Sequence, residues 1–125
     1  CERDSDLPPA EFVQRWVPEM FTDTAPPALI EEMSAIFADF HPLGFRLMAK
    51  SLAQTDTTSL LPRIGSGTLL LWGEADQRSP LAIAEQLRDA IPGAELQLIP
   101  HAGHVSNMEQ PAAFNRHVRR FCAAA

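Results

Sequence analysis

Thr68-Leu69-Leu70-Leu71-Trp72-Gly73-Glu74-Ala75-Asp76-Gln77-Arg78-Ser79-Pro80 is the stretch that decides the fold. Residues 68–73 form a short continuous apolar run. Such a run fits a strand buried on both faces, the kind found in parallel sheets. Polar loop residues follow. Ser79 then suits an N-cap and Pro80 a first helical position. Leu81, Ala84, Leu87, Ala90 and Ile91 mark the buried face of a helix that stops at Pro92-Gly93. Glu95 to Ile99 reads as a second, partly alternating strand. A strand–helix–strand unit crosses over right-handed by default, so the fold class is α/β with parallel strands. Beyond it, a loop from Pro100 holds His101-Ala102-Gly103-His104. A last helix, about Ala112 to Phe121, turns Phe114, Val118 and Phe121 inward.

Upstream of the run the chain is helical. Residues 1–9 are charged and then proline-rich, and read as a linker. Phe12, Val13, Trp16, Val17 and Met20 recur at helical spacing, with Pro18 expected to bend or break that helix. Pro27 can open a second helix with Leu29, Ile30, Met33, Ile36, Phe37 and Phe40 on one broad face. His41-Pro42 interrupts it, and a third helix runs from about Leu43 to Gln54. The expected organisation is a linker and helical region over 1–60, then an α/β portion over 61–125.

Two parallel strands are too small a sheet to stand alone. The run at Leu69 to Leu71 expects a strand on each edge, and the chain supplies only one neighbour. The missing edge is expected from a preceding segment, a second chain or a swapped copy of this one. The sequence opens on Cys1 without a Met, as expected of a cut or processed end.

Composition narrows the function classes. The 125 residues are 46% hydrophobic and 21% charged, which excludes a disordered tail and a disulfide-rich miniprotein. No apolar run approaches the ~18 residues of a spanning helix. A net charge of −6 with interspersed signs argues against a nucleic-acid binder. Nine of the ten basic residues are Arg and one is Lys50, which reads as coding bias. Cys1 and Cys122 sit at opposite ends, and nothing calls for a bridge between them. No Cys/His cluster has metal-site spacing. No metal or cofactor is expected, and the expected location is cytoplasmic.

Two residues remain as candidates for chemistry. Asp76 follows the first strand and His104 follows the second. Functional groups of parallel sheets gather at the carboxyl ends of strands, so both belong on one rim. A carboxylate that holds an imidazole fixes its tautomer and stabilises the imidazolium, the orienting half of a nucleophilic triad. Read separately, Asp76 is a loop residue that caps the next helix and His104 a surface histidine. Their shared rim favours the pair. His101 competes with His104, but lacks the tight glycine turn before it. Glu109 reads as a helix-capping carboxylate. No nucleophile elbow is present: Gly65-Ser66-Gly67 precedes a strand instead of following one.

These residues resemble the C-terminal half of an α/β-hydrolase, of the small cap-bearing kind that includes carbon–carbon bond hydrolases, enol-lactonases and related esterases. The resemblance rests on Leu61-Pro62-Arg63-Ile64, on residues 68–80, on Ile91-Pro92-Gly93-Ala94, and on Ala102-Gly103-His104-Val105-Ser106-Asn107-Met108-Glu109-Gln110-Pro111 with Phe114. It implies that Asp76 is the triad acid and His104 the base. It implies that the two strands are the last of a larger, mostly parallel sheet. Residues 10–60 would be a lid, loosely matched through His41-Pro42-Leu43-Gly44-Phe45. Phe12, Trp16, Met20, Phe37, Phe45, Met48 and Val105 would be candidates to line an apolar acyl site. His101 departs from the small residues usual before the histidine. Such enzymes run to roughly twice this length, so the nucleophile, the oxyanion hole and the other strands would lie elsewhere.

The expected partners are a small acyl substrate and the missing half or a second copy. The expected activity is hydrolysis of an ester, lactone or carbon–carbon bond, with the chain alone inactive. The alternative is a non-catalytic module that dimerises, or binds a partner, through its open strand edge. Hydrolase-fold acyltransferases and cofactor-free haloperoxidases would use the same Asp and His.

Overall fold

The computed structural model describes the backbone of residues 9–124 and the side chains from Val13 onward. The expected linker therefore lies outside the described residues except for Pro9, which opens a helix. Cys1 and the Phe12 side chain also lie outside them. Cys122 is free and exposed.

The chain divides into two compact units, one holding residues up to Pro18 with Pro26–Thr57, the other Glu19–Ala25 with Thr58 onward. The first unit is helical: α1 (Pro9–Trp16), α2 (Pro27–Ala38) and α3 (Pro42–Gln54). Pro18 ends the first helical stretch as its missing N–H requires, and the chain continues as a 3₁₀ turn at Pro18–Met20. Pro27 and Pro42 each sit in the first turn of their helix, where no amide donor is needed. Phe40 bridges α2 to α3, with its ring 4.9 Å from that of Phe37 and 6.2 Å from that of Phe45.

The second unit carries the sheet. β1 (Leu69–Gly73) pairs in parallel with β2 (Glu95–Ile99), in a register running from Leu69 opposite Glu95 to Gly73 opposite Ile99. The crossover between them is α4 (Leu81–Ala90). After β2 come a short α5 (Ser106–Glu109) and the final α6 (Pro111–Ala124). Leu69 and Leu71 share a cleft with Phe114, Val118 and Phe121 of α6. Alternation turns Leu70 and Trp72 to the opposite face, where the Trp72 indole N–H donates to the Ser79 carbonyl just before α4, at 2.7 Å. Ile99, Ala84 and Ala102 are fully buried, and Met20, Phe21 and Ile91 nearly so.

Three details differ from expectation. β1 is half-buried up to Gly73, not buried on both faces, because it has a single strand neighbour among the described residues. Ser79 does not cap α4: Pro80 occupies the N-cap, and the Ser79 amide is engaged by Asp76. Leu81, assigned to the buried face of α4, is 39% exposed at its first turn.

Candidate functional site

The rim beyond the carboxyl ends of β1 and β2 brings Asp76 and His104 into contact. His104 Nδ1 lies 2.9 Å from Asp76 Oδ2. Against an ionised carboxylate, which only accepts, Nδ1 is the donor, and in the neutral ring Nε2 then presents a lone pair. The Asp76 side chain is 5% exposed and that of His104 is 38% exposed. The acid is therefore sheltered, while the imidazole stays reachable.

The backbone fixes both partners. The parallel ladder runs past the end of β1, where the Glu74 amide donates to the Ile99 carbonyl and the Ala75 amide to that of Ala102. This ties the loop carrying Asp76 to the loop carrying His104. Asp76 Oδ1 accepts the amides of Arg78 and Ser79, both at 2.9 Å. These bonds hold one carboxylate oxygen so that the other faces the imidazole. Burial lowers the pKa of the Arg78 guanidinium, while Glu19 and Asp76 pull it up.

Close approach explains two glycines. A Cβ on Gly73 would overlap the Gly103 carbonyl oxygen, and one on Gly103 would stand 2.8 Å from the Met20 carbonyl oxygen. That Met20 carbonyl accepts the amides of His104 (2.9 Å) and Val105 (3.3 Å).

Glu109 corrects the sequence reading. It is not a helix cap. Its Oε2 accepts the Gly103 amide at 2.6 Å, and its Oε1 accepts the Thr22 amide at 2.9 Å and the Thr22 hydroxyl at 2.6 Å. Thr22 and the Met20 carbonyl were missed altogether. The only signal for Glu109 was its place shortly after His104, two positions before Pro111.

The remaining candidates divide between the units. Val105 is half-buried and directly follows His104. His101 is exposed, takes a left-handed backbone (φ 56°), and is not the imidazole that meets Asp76. Trp16, Phe37, Phe45 and Met48 belong to the helical unit. Phe45 and Met48 line a shallow cleft there with Asp39, Phe40, His41 and Gly44. Met20, weighed as a substrate contact, is buried in the second unit. Among the described residues no group of His, Cys, Asp or Glu could hold a metal ion, and no helix is long and apolar enough to cross a membrane.

Known proteins are similar to this chain. The chain is 31% identical over 104 residues to 3-oxoadipate enol-lactonase 2 of Acinetobacter baylyi, covering 83% of this chain and 38% of that protein. It is 34% identical over 85 residues to 2-hydroxy-6-oxo-6-phenylhexa-2,4-dienoate hydrolase of Delftia acidovorans, covering 66% of this chain and 30% of that one. A thermophilic esterase from Thermogutta terrifontis superposes with a TM-score of 0.89 at 28% identity, over 98% of this chain and 47% of the esterase. The chain thus spans less than half the length of each of these relatives. The model of the Alpha/beta hydrolase family matches residues 3–117, and the chain belongs to that family.

Proposed function

We propose that these 125 residues supply the acid and base of a Ser-His-Asp hydrolase that cleaves an ester, lactone or carbon–carbon bond of a small apolar substrate. The observation that carries the reading is the 2.9 Å contact between His104 Nδ1 and Asp76 Oδ2, with the second carboxylate oxygen held by two backbone amides. Similarity to an enol-lactonase and to a carbon–carbon bond hydrolase supports the choice of reaction class.

In this reading His104 Nε2 takes the proton of a serine hydroxyl as that oxygen attacks the substrate carbonyl. Asp76 stabilises the imidazolium and stays ionised. The imidazolium then protonates the leaving group, and water releases the acyl enzyme by the same route. No G-x-S-x-G occurs in the sequence, so the nucleophile comes from other polypeptide. β1 has one strand partner among the described residues, and the apolar cleft beside its Leu69 and Leu71 suits a further element of the sheet. Val105 adjoins His104. The part of Trp16, Phe37, Phe45 and Met48 in substrate binding is proposed on the family likeness.

The test compares hydrolysis of a p-nitrophenyl ester by the 125-residue chain and by the product of the complete gene. The expected result is turnover by the complete product and none by the chain alone. Equal turnover by both would sink the division of labour. Light scattering tests the other reading, a binding module closed by a second copy: a stable dimer with no turnover in either form would favour it.

A further inference from the structure

The loop carrying His104 is closed by a circuit of hydrogen bonds. Glu109 Oε2 holds the Gly103 amide. The next two amides, of His104 and Val105, donate to the Met20 carbonyl. Thr22, two residues beyond Met20, returns both its amide and its hydroxyl to Glu109 Oε1. One carboxylate thus takes three donors, two of them at 2.6 Å. Bonds to an ionised acceptor are shorter and stronger than neutral ones. Thr22 and Glu109 stand 87 positions apart, so the circuit joins the segment between α1 and α2 to the histidine loop. Gly103 has no Cβ, and no side chain of its own pins its peptide plane. Glu109 supplies that constraint from outside.

We infer that Glu109 is a positioning residue for His104, holding the loop that bears the base where its Nδ1 reaches Asp76. The inference deepens the acid–base reading above and rests on it. Glutamine cannot replace this carboxylate. Its single oxygen can serve either Thr22 or Gly103, and its NH₂ group would then face a donor at the other.

Two measurements test this. The first is the Nδ1-bound proton resonance of His104 by NMR on the 125-residue chain. The second is the split of kcat from KM in the complete gene product. Glu109→Gln is expected to move or lose the resonance and to lower kcat on the order of 10- to 100-fold with KM unchanged, the scale of misplacing a reacting group. Thr22→Val is expected to do the same to a lesser degree, and Thr22→Ser, which keeps the hydroxyl, to restore both. A Glu109→Gln protein with the parent's resonance and kcat overturns the inference. If Glu109→Gln does not fold, the threonine pair decides: a resonance that Val leaves in place overturns it, and one that Val moves and Ser restores supports it. Absence of turnover in the parent defeats the hydrolase reading alone, because the resonance is still read.

Discussion

The two units hold their residues in place by different means. In the unit built from 19–25 and 58–125, the rim is fixed by hydrogen bonds in which backbone groups take part. Asp76 is held by two amides, the His104 loop by the Met20 carbonyl and Glu109, and the strand ends by each other. In the helical unit, apolar side chains stand in the open. Leu43, Leu47, Met48 and Leu52 of α3 are 47–69% exposed, and Ile36 of α2 is 48% exposed. The sheet-bearing unit therefore fixes its rim residues by itself, whereas the helical unit leaves its apolar faces to be defined by whatever they meet. Substitutions should separate the two in kind as well as in size.

The largest separation is in catalysis. On the proposed acid–base role, His104→Ala or Asp76→Asn in the complete gene product is expected to lower kcat on the order of 10⁴-fold, the scale of losing a triad member or its tautomer control. On the proposed substrate-lining role of Phe45 in the helical unit, Phe45→Ala is expected to change KM and leave kcat within about tenfold, since it would remove apolar contact and no proton transfer. Steady-state kinetics on one ester reads both. A kcat collapse in Phe45→Ala would break the comparison.

Stability should divide in the same direction. Ile99 is fully buried at the end of β2, so Ile99→Ala is expected to cost about 2–5 kcal/mol. Leu47 is 61% exposed, and Leu47→Ala is expected to stay within about 0.5 kcal/mol. Urea denaturation checks the pair. A large loss in Leu47→Ala would mean that α3 is covered in solution.

The glycines sharpen the contrast within the second unit alone. A methyl on Gly73 meets the backbone of Ala102 and Gly103, which carries the histidine loop, while Gly65 has open space around it. Gly73→Ala is expected to cost roughly 1–3 kcal/mol, and Gly65→Ala to leave the melting temperature near the parent's. The displacement at Gly73 should also weaken the His104–Asp76 contact, so kcat falls along with stability.

What was legible in the sequence follows the same line. Asp76 and His104 could be placed because a parallel register carries the ends of both strands to one rim, and the apolar run and the crossover helix declare that register. The breaks at Pro18 and Pro42 were legible because proline removes a donor wherever it stands. The role of Glu109 was not, since its partner Thr22 lies 87 positions away and a carboxylate ahead of a helix looks like a cap. The half-burial of β1 was also hidden. An apolar strand shows that it needs cover, but not how much of that cover these residues contain.

The smallest expected effect separates the two histidines of one loop. His101 is exposed and sits at φ 56°, the sole residue other than glycine with positive φ among those described. A Cβ disfavours that conformation, and glycine relieves it. His101→Gly is therefore expected to be neutral or to stabilise the protein by up to about 1 kcal/mol. The Gln110 side chain bonds the His101 backbone carbonyl, and that contact survives the change. Turnover should match the parent, because the imidazole facing Asp76 belongs to His104. Thermal melting and ester kinetics on the same preparation read both quantities. A fall in kcat with no loss of stability would place a second imidazole in the proton transfer and end the two-residue account of the rim.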